Sequence, residues 1–123
     1  MAVMQSRDNR TFIAGEDLSA AQFKFVTLEA DGQVDLADAA GENAIGVCLA
    51  GAAAGAAVTV CVSGSVMVEA GGAITAGDQI QTGADGTALL AATGDVVLGY
   101  AREDGVDGQI IEIEMIQGGN VAA

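Results

Sequence analysis

Seventeen Asp and Glu side chains stand against four Lys and Arg in this 123-residue chain, and some are spaced closely enough to invite chemistry. Asp31, Asp35 and Asp38, or Asp104 and Asp107, offer clustered oxygens of the kind that hold a hard cation. Any two carboxylates could in principle act as the acid and base of a glycosidase. Neither run has the spacing of a calcium loop, however, and the acids sit mainly beside glycines, where Asx-type turn chemistry explains them. No Trp, three Phe and one Tyr give no aromatic platform for a sugar. The absence of His removes the commonest general base, the commonest zinc ligand and the ordinary pH switch. The sequence therefore predicts no enzyme, no cofactor, no metal and no small-molecule substrate.

The two cysteines, Cys48 and Cys61, lie thirteen apart without CxxC or metal spacing, and read as buried thiols in a reducing compartment. Strands on either side of the loop at 51–55 could still bring them close. Ala76-Gly77-Asp78-Gln79-Ile80-Gln81 resembles the Gly-Asp step of lipoyl and biotinyl carrier barrels, but Lys24 is the only lysine and lies far from that step. A net charge of −13 makes nucleic acid and anionic membrane poor partners, since phosphate neutralisation needs clustered Lys and Arg. The start of the chain has no apolar stretch of the secretory kind. Residues 43–68 carry no charge, yet they are mostly Ala, Gly and alternating Val, which reads as strand rather than as a membrane helix.

The elements follow from period and punctuation. Phe23–Leu28 alternates, with Phe23 and Phe25 on one face and Lys24, Val26 and Leu28 on the other. Asp31-Gly32 turns the chain into a short strand from Gln33 to Leu36, and Ala44–Leu49 keeps Ile45, Val47 and Leu49 in phase. Val58, Val60 and Val62 alternate with Thr59 and Cys61; Gly64 then reads as a turn before Val66 and Val68. Gly77-Asp78, Asp85-Gly86, Gly94-Asp95, Asp104-Gly105 and Asp107-Gly108 punctuate the remainder, ending in a strand over Gln109–Ile116. Turn signals about every ten residues, 18 glycines and no convincing helical period predict an all-β fold: a small antiparallel barrel or sandwich of short strands. Of the apolar residues 25 are Ala, so the core is thin and contacts between subunits would supplement it.

Charge divides the chain. Residues 1–24 balance Arg7, Arg10 and Lys24 against Asp8, Glu16 and Asp17, whereas residues 25–123 set Arg102 against 14 acids. Residues 1–20 are accordingly expected to form an extended N-terminal arm, either frayed or ordered on a partner, and residues 21–123 a single β domain. Such an arm could add a strand to a partner or place its arginines on partner carboxylates.

Ile45-Gly46-Val47, then Ala56–Gly64, then Ala73-Ile74-Thr75-Ala76-Gly77-Asp78, then Ala84-Asp85-Gly86-Thr87-Ala88, then Val97-Leu98-Gly99-Tyr100-Ala101 resemble the capsid decoration, or cement, proteins of tailed bacteriophages. The resemblance implies a compact β domain, made in the host cytoplasm, that trimerises on the outer surface of the phage head. It would sit at three-fold or quasi-three-fold positions and reinforce the shell. Its partners would be the major capsid protein and itself, without nucleic acid or membrane. On that reading Arg7, Arg10 and Phe12 are expected to touch the capsid. The competing expectation is an appendage domain recognising a ligand on a host surface.

Overall fold

A computed structural model describes residues 6–116, 121 and 122, with the side chains of 6, 7 and 30 outside the described set. The chain is all-β. Among the described residues nine strands follow in order: β1 (Ser6–Ala14), β2 (Phe25–Leu28), β3 (Gln33–Leu36), β4 (Gly46–Ala50), β5 (Ala57–Glu69), β6 (Gln79–Thr82), β7 (Ala88–Leu90), β8 (Gly99–Ala101) and β9 (Ile110–Met115). No helix among the described residues is long and apolar enough to cross a membrane.

The first five strands pair in the order β1-β3-β2-β4-β5, and a β1–β5 pairing closes them into a small barrel. Only the β1–β3 pairing is parallel; the others are antiparallel. Alternation decides what fills the barrel. Val26, Val34, Cys48, Val58 and Val60 turn inward and pack with Ala14, Leu18 and Ala21. Their neighbours Phe25, Val47 and Cys61 turn outward and join a second core with Val66, Val68, Ile80, Leu98, Ile111 and Ile113. Residues 6–14 of the segment expected to be an arm are thus a strand of the chain's own sheet, joined to β5 from Ser6↔Gly64 to Ile13↔Ala57.

Two local expectations are corrected. Gly64 makes no turn: it lies within β5, at φ +90°, and lets one 13-residue strand serve both halves of the molecule. Phe23 is not in a strand; it adopts φ +62°, and β2 begins at Phe25.

The second half repeats the first. From the Ser65 end of β5 onward, the order β5-β9-β8-β6-β7 is closed by a parallel bridge between Ala70 and Ala88. β5, β6, β7, β8 and β9 here take the places of β1, β2, β3, β4 and β5. The correspondence extends to single hydrogen bonds. The Leu18 N–H donates to the Ala52 carbonyl at 2.8 Å, and Ile74 to Gly105 at 2.9 Å. Phe23 to Cys48 is matched by Gly77 to Ala101, Ile45 to Val26 by Leu98 to Ile80, and Gly15 to Val34 by Gly71 to Ala88. The fold is a tandem pair of five-stranded barrels that share one strand.

Candidate interaction surface

The sequence-selected residues lie on β1. Arg10 and Phe12 are two apart on a strand and so share a face, the one on which their partners Val60 and Val58 point into the first barrel. Phe12 is half-buried against that core, whereas Arg10 is exposed. With Ile45 and Val62 they line a groove of about 300 Å³. Three apolar side chains and one guanidinium thus form a basic, apolar patch on a strongly acidic chain. The side chain of Arg7 lies outside the described residues.

Arg10 is held in place. Its Nε and Nη2 donate to Asp8 Oδ2 at 3.1 and 3.0 Å. That bond, and the charge behind it, raise the guanidinium pKa above its ordinary value. Both side chains remain well exposed, at 64% and 42%, so the pair orients Arg10 without removing its charge from solvent.

Of the carboxylates considered as ligands, Asp104 serves the backbone, and several other acids do the same. Asp104 accepts the Ala76 N–H at 2.8 Å and Asp78 the Thr75 N–H at 2.9 Å. Glu42 accepts from both Asp38 and Ala39, and Asp85 takes the Thr87 hydroxyl at 2.6 Å, which holds its pKa below the usual range. Among the described residues no three acids or thiols are grouped as metal ligands would be. Asp35 differs: its Oδ1 is buried without a hydrogen-bond partner. Burial, then the charges of Glu16, Glu29 and Asp38, raise its pKa.

Charge asymmetry and family resemblance single out Arg10 and Phe12 in the sequence, but not Ile45 and Val62, which line the same groove and read there as interior strand positions. Beside the groove, Leu28, Asn43 and Ile45 line a second cleft of about 330 Å³, flanked by Glu29 and Glu42. Ile45 is common to both. Arg10 thus stands beside one of the two adjoining clefts, and Glu29 and Glu42 beside the other.

Comparison with known proteins adds two findings. A family model described as "phage cement protein" matches residues 4–115. Among solved structures, the head fiber gp8.5 N base of bacteriophage phi29 is similar, with a TM-score of 0.70 and 23% identity over 89% of this chain and 93% of that one. At that identity the likeness is one of fold. No curated protein matches the chain.

Proposed function

The chain belongs to the phage cement protein family, and on that premise we propose that it is a structural, capsid-associated protein that binds the outer surface of a phage head and stabilises the shell. In the fuller form of this reading it assembles as a homotrimer at three-fold or quasi-three-fold positions. It is made in the host cytoplasm, ends on the virion and has the major capsid protein as its partner.

The observation that carries the reading is the groove of Arg10, Phe12, Ile45 and Val62. A protein of net charge −13 is repelled by most anionic surfaces, so a contact with a capsid is favoured at a place where that field is locally weakened. β1 supplies it: Arg10 is fixed by Asp8 beside an apolar floor, with Arg7 three residues earlier on the same strand. The arginines steer and orient, and the apolar floor supplies area removed from water. Three such patches on one trimer would engage neighbouring capsid subunits together, turning weak single contacts into avidity and clamping the shell against internal pressure.

The test is binding of the purified protein to expanded heads that lack it, followed by co-sedimentation and by the temperature at which the heads release DNA. Binding that raises this temperature, and that is lost in the double variant Arg7→Glu, Arg10→Glu with the fold intact, supports the proposal. Binding unchanged in that variant would sink the assignment of the patch. Failure to bind heads, together with binding to a host glycan, would replace the whole reading with the appendage alternative.

A further inference from the structure

The duplication carries an interface within the chain, and both halves of that interface occur a second time, unmated. In the mated case the outer side of the first barrel fills an opening in the second. The Phe25 N–H donates to the Gly86 carbonyl at 2.8 Å, and the Glu69 N–H to the Phe23 carbonyl at 2.9 Å. Gly41 sits between Thr82 and Val96, donating to the Thr82 carbonyl at 2.9 Å and accepting from the Val96 N–H at 3.1 Å. Leu36 lies over Gly86, with its Cδ1 2.7 Å from where a Cβ would stand. The contact leaves Phe25, Val47 and Cys61 fully buried.

The repeat assigns a counterpart to each partner. In the first barrel, Gly32, Leu28, Asn43 and Ile13 stand where Gly86, Thr82, Val96 and Glu69 stand in the second. This copy of the socket is empty. Nothing lies within 4 Å of a Cβ placed on Gly32, Leu28 and Ile13 are 53% and 40% exposed, and Leu28 and Asn43 line the 330 Å³ cleft. On the second barrel, Gln79, Leu90, Tyr100 and Glu114 stand where Phe25, Leu36, Val47 and Cys61 stand on the first. This copy of the plug presents Leu90 and Tyr100 to solvent, at 55% and 39% exposure. Four of the six exposed large hydrophobics among the described residues thus fall on these two surfaces.

We infer that a second copy of this chain fills the socket: the Leu28–Asn43 cleft of one copy receives the Leu90–Tyr100 face of the next. Socket and plug belong to different barrels of one chain, so the contact is head-to-tail, and it closes into a ring where the rotation permits. The inference gives a contact for the self-association proposed above and rests on that part of the reading. Arg10 lines the neighbouring cleft and not the socket, so it stays available to a capsid.

The second barrel's plug is partly held by Ala122. The Gly94 N–H, the counterpart of that of Gly41, donates to the Ala122 carbonyl at 2.9 Å, and the Ala122 N–H donates to Asp95. Docking exchanges the Ala122 carbonyl for that of Leu28 in the neighbouring copy. Two chains of −13 also repel, so the association strengthens with added salt.

The measurement is sedimentation equilibrium of the full chain at 10–100 μM in low and high salt, with Leu28→Asp as a socket variant and Tyr100→Asp as a plug variant, both checked for an unchanged fold by circular dichroism. The wild type is expected above 12.1 kDa, more so at high salt, and each variant alone at 12.1 kDa. An equimolar mixture of the two variants retains one intact socket and one intact plug, and is expected to recover a two-chain species. Deleting residues 117–123 is expected to strengthen the wild-type association. A monomeric wild type at both salts, either variant keeping the wild-type mass, or a mixture that stays monomeric overturns the inference; a weakened association after the deletion overturns the exchange of the tail. Capsid binding through Arg10 weakens with salt, so the two readings fail separately.

Discussion

Cys48 and Cys61 stand on adjacent rungs of the β4–β5 ladder and face opposite ways. Cys61 is opposite Val47 and Cys48 opposite Val60, so the first thiol points outward into the shared core and the second inward into the first barrel. Both are free and fully buried. Because side chains alternate across a strand, no rotamer lets these two sulfurs meet.

Burial, as the leading cause, raises both thiol pKa values. Native protein is therefore expected to resist a disulfide-exchange reagent at pH 8 and to yield two thiols only on unfolding. The sign for stability follows. A thiol whose folded pKa is raised contributes fully below the unfolded value of about 8.5 and loses that contribution as pH rises through the folded value. Denaturation midpoints should fall above about pH 8.5, and less steeply in Cys61→Ala than in the wild type. Rapid labelling of the native protein would contradict this account.

Asp35 gives the opposite kind of test. Its Oδ1 has no partner, and burial followed by Glu16, Glu29 and Asp38 raises its pKa. A carboxyl raised in the folded state costs stability as pH climbs through its folded pKa, since the unfolded chain gives up the proton more readily. Asp35→Asn is expected to stabilise the protein at pH 7 by ~1 kcal/mol, or about 4 °C in Tm, and the gain should vanish near pH 3. A melting curve that shows equal gain at both pH values would point to packing instead of charge.

Much of the architecture was legible because alternation and turns are local. The β2, β6 and β9 strands follow from their period, and Asp31-Gly32 and Asp85-Gly86 mark the two hairpins, at φ +74° and +80° for the glycines. What the sequence concealed was the duplication, although those two turns are 54 positions apart and Gly55 and Gly108 are 53 apart. The reason is physical. Phe25, Val47 and Cys61 bury one barrel's face, while their counterparts Gln79, Tyr100 and Glu114 meet solvent, so burial rather than backbone chose the residue types. Gly64 was misleading for a related reason, since a glycine inside a strand marks a bend between two sheets as readily as a turn. Arg10 stands out from charge asymmetry and family resemblance, and the groove it lines is assembled from two strands and the lead into β4, which no local pattern contains.

Phe23 and Gly77 occupy the same position of the two repeats, at φ +62° and +92°. Space is open around Gly77, so Gly77→Ala isolates the backbone penalty and is expected to cost ~1 kcal/mol. At Gly46 a Cβ would run into the Cys61 carbonyl, which cannot swing aside as a side chain would, and Gly46→Ala is expected to cost about 3 kcal/mol or more. Chemical denaturation of the two variants should rank them in that order. Equal costs would mean that the β4–β5 backbone relaxes.

Arg10 and Arg102 separate binding from stability. Arg102 Nη1 donates to Glu112 Oε2 at 2.8 Å, and the Glu112 side chain is only 5% exposed, whereas the Asp8 partner of Arg10 is 42% exposed. Removing Arg102 leaves a nearly buried carboxylate unpaired, and Arg102→Ala is expected to destabilise the fold by about 2 kcal/mol. Removing Arg10 leaves a carboxylate already in water, so Arg10→Ala should shift the denaturation midpoint little. Its effect belongs in capsid affinity, which is expected to fall several-fold in low salt and to converge on the variant's value as added salt screens the wild-type arginine. A variant that loses stability and affinity in proportion would make Arg10 a structural residue, and the capsid contact would then have to lie elsewhere on the chain.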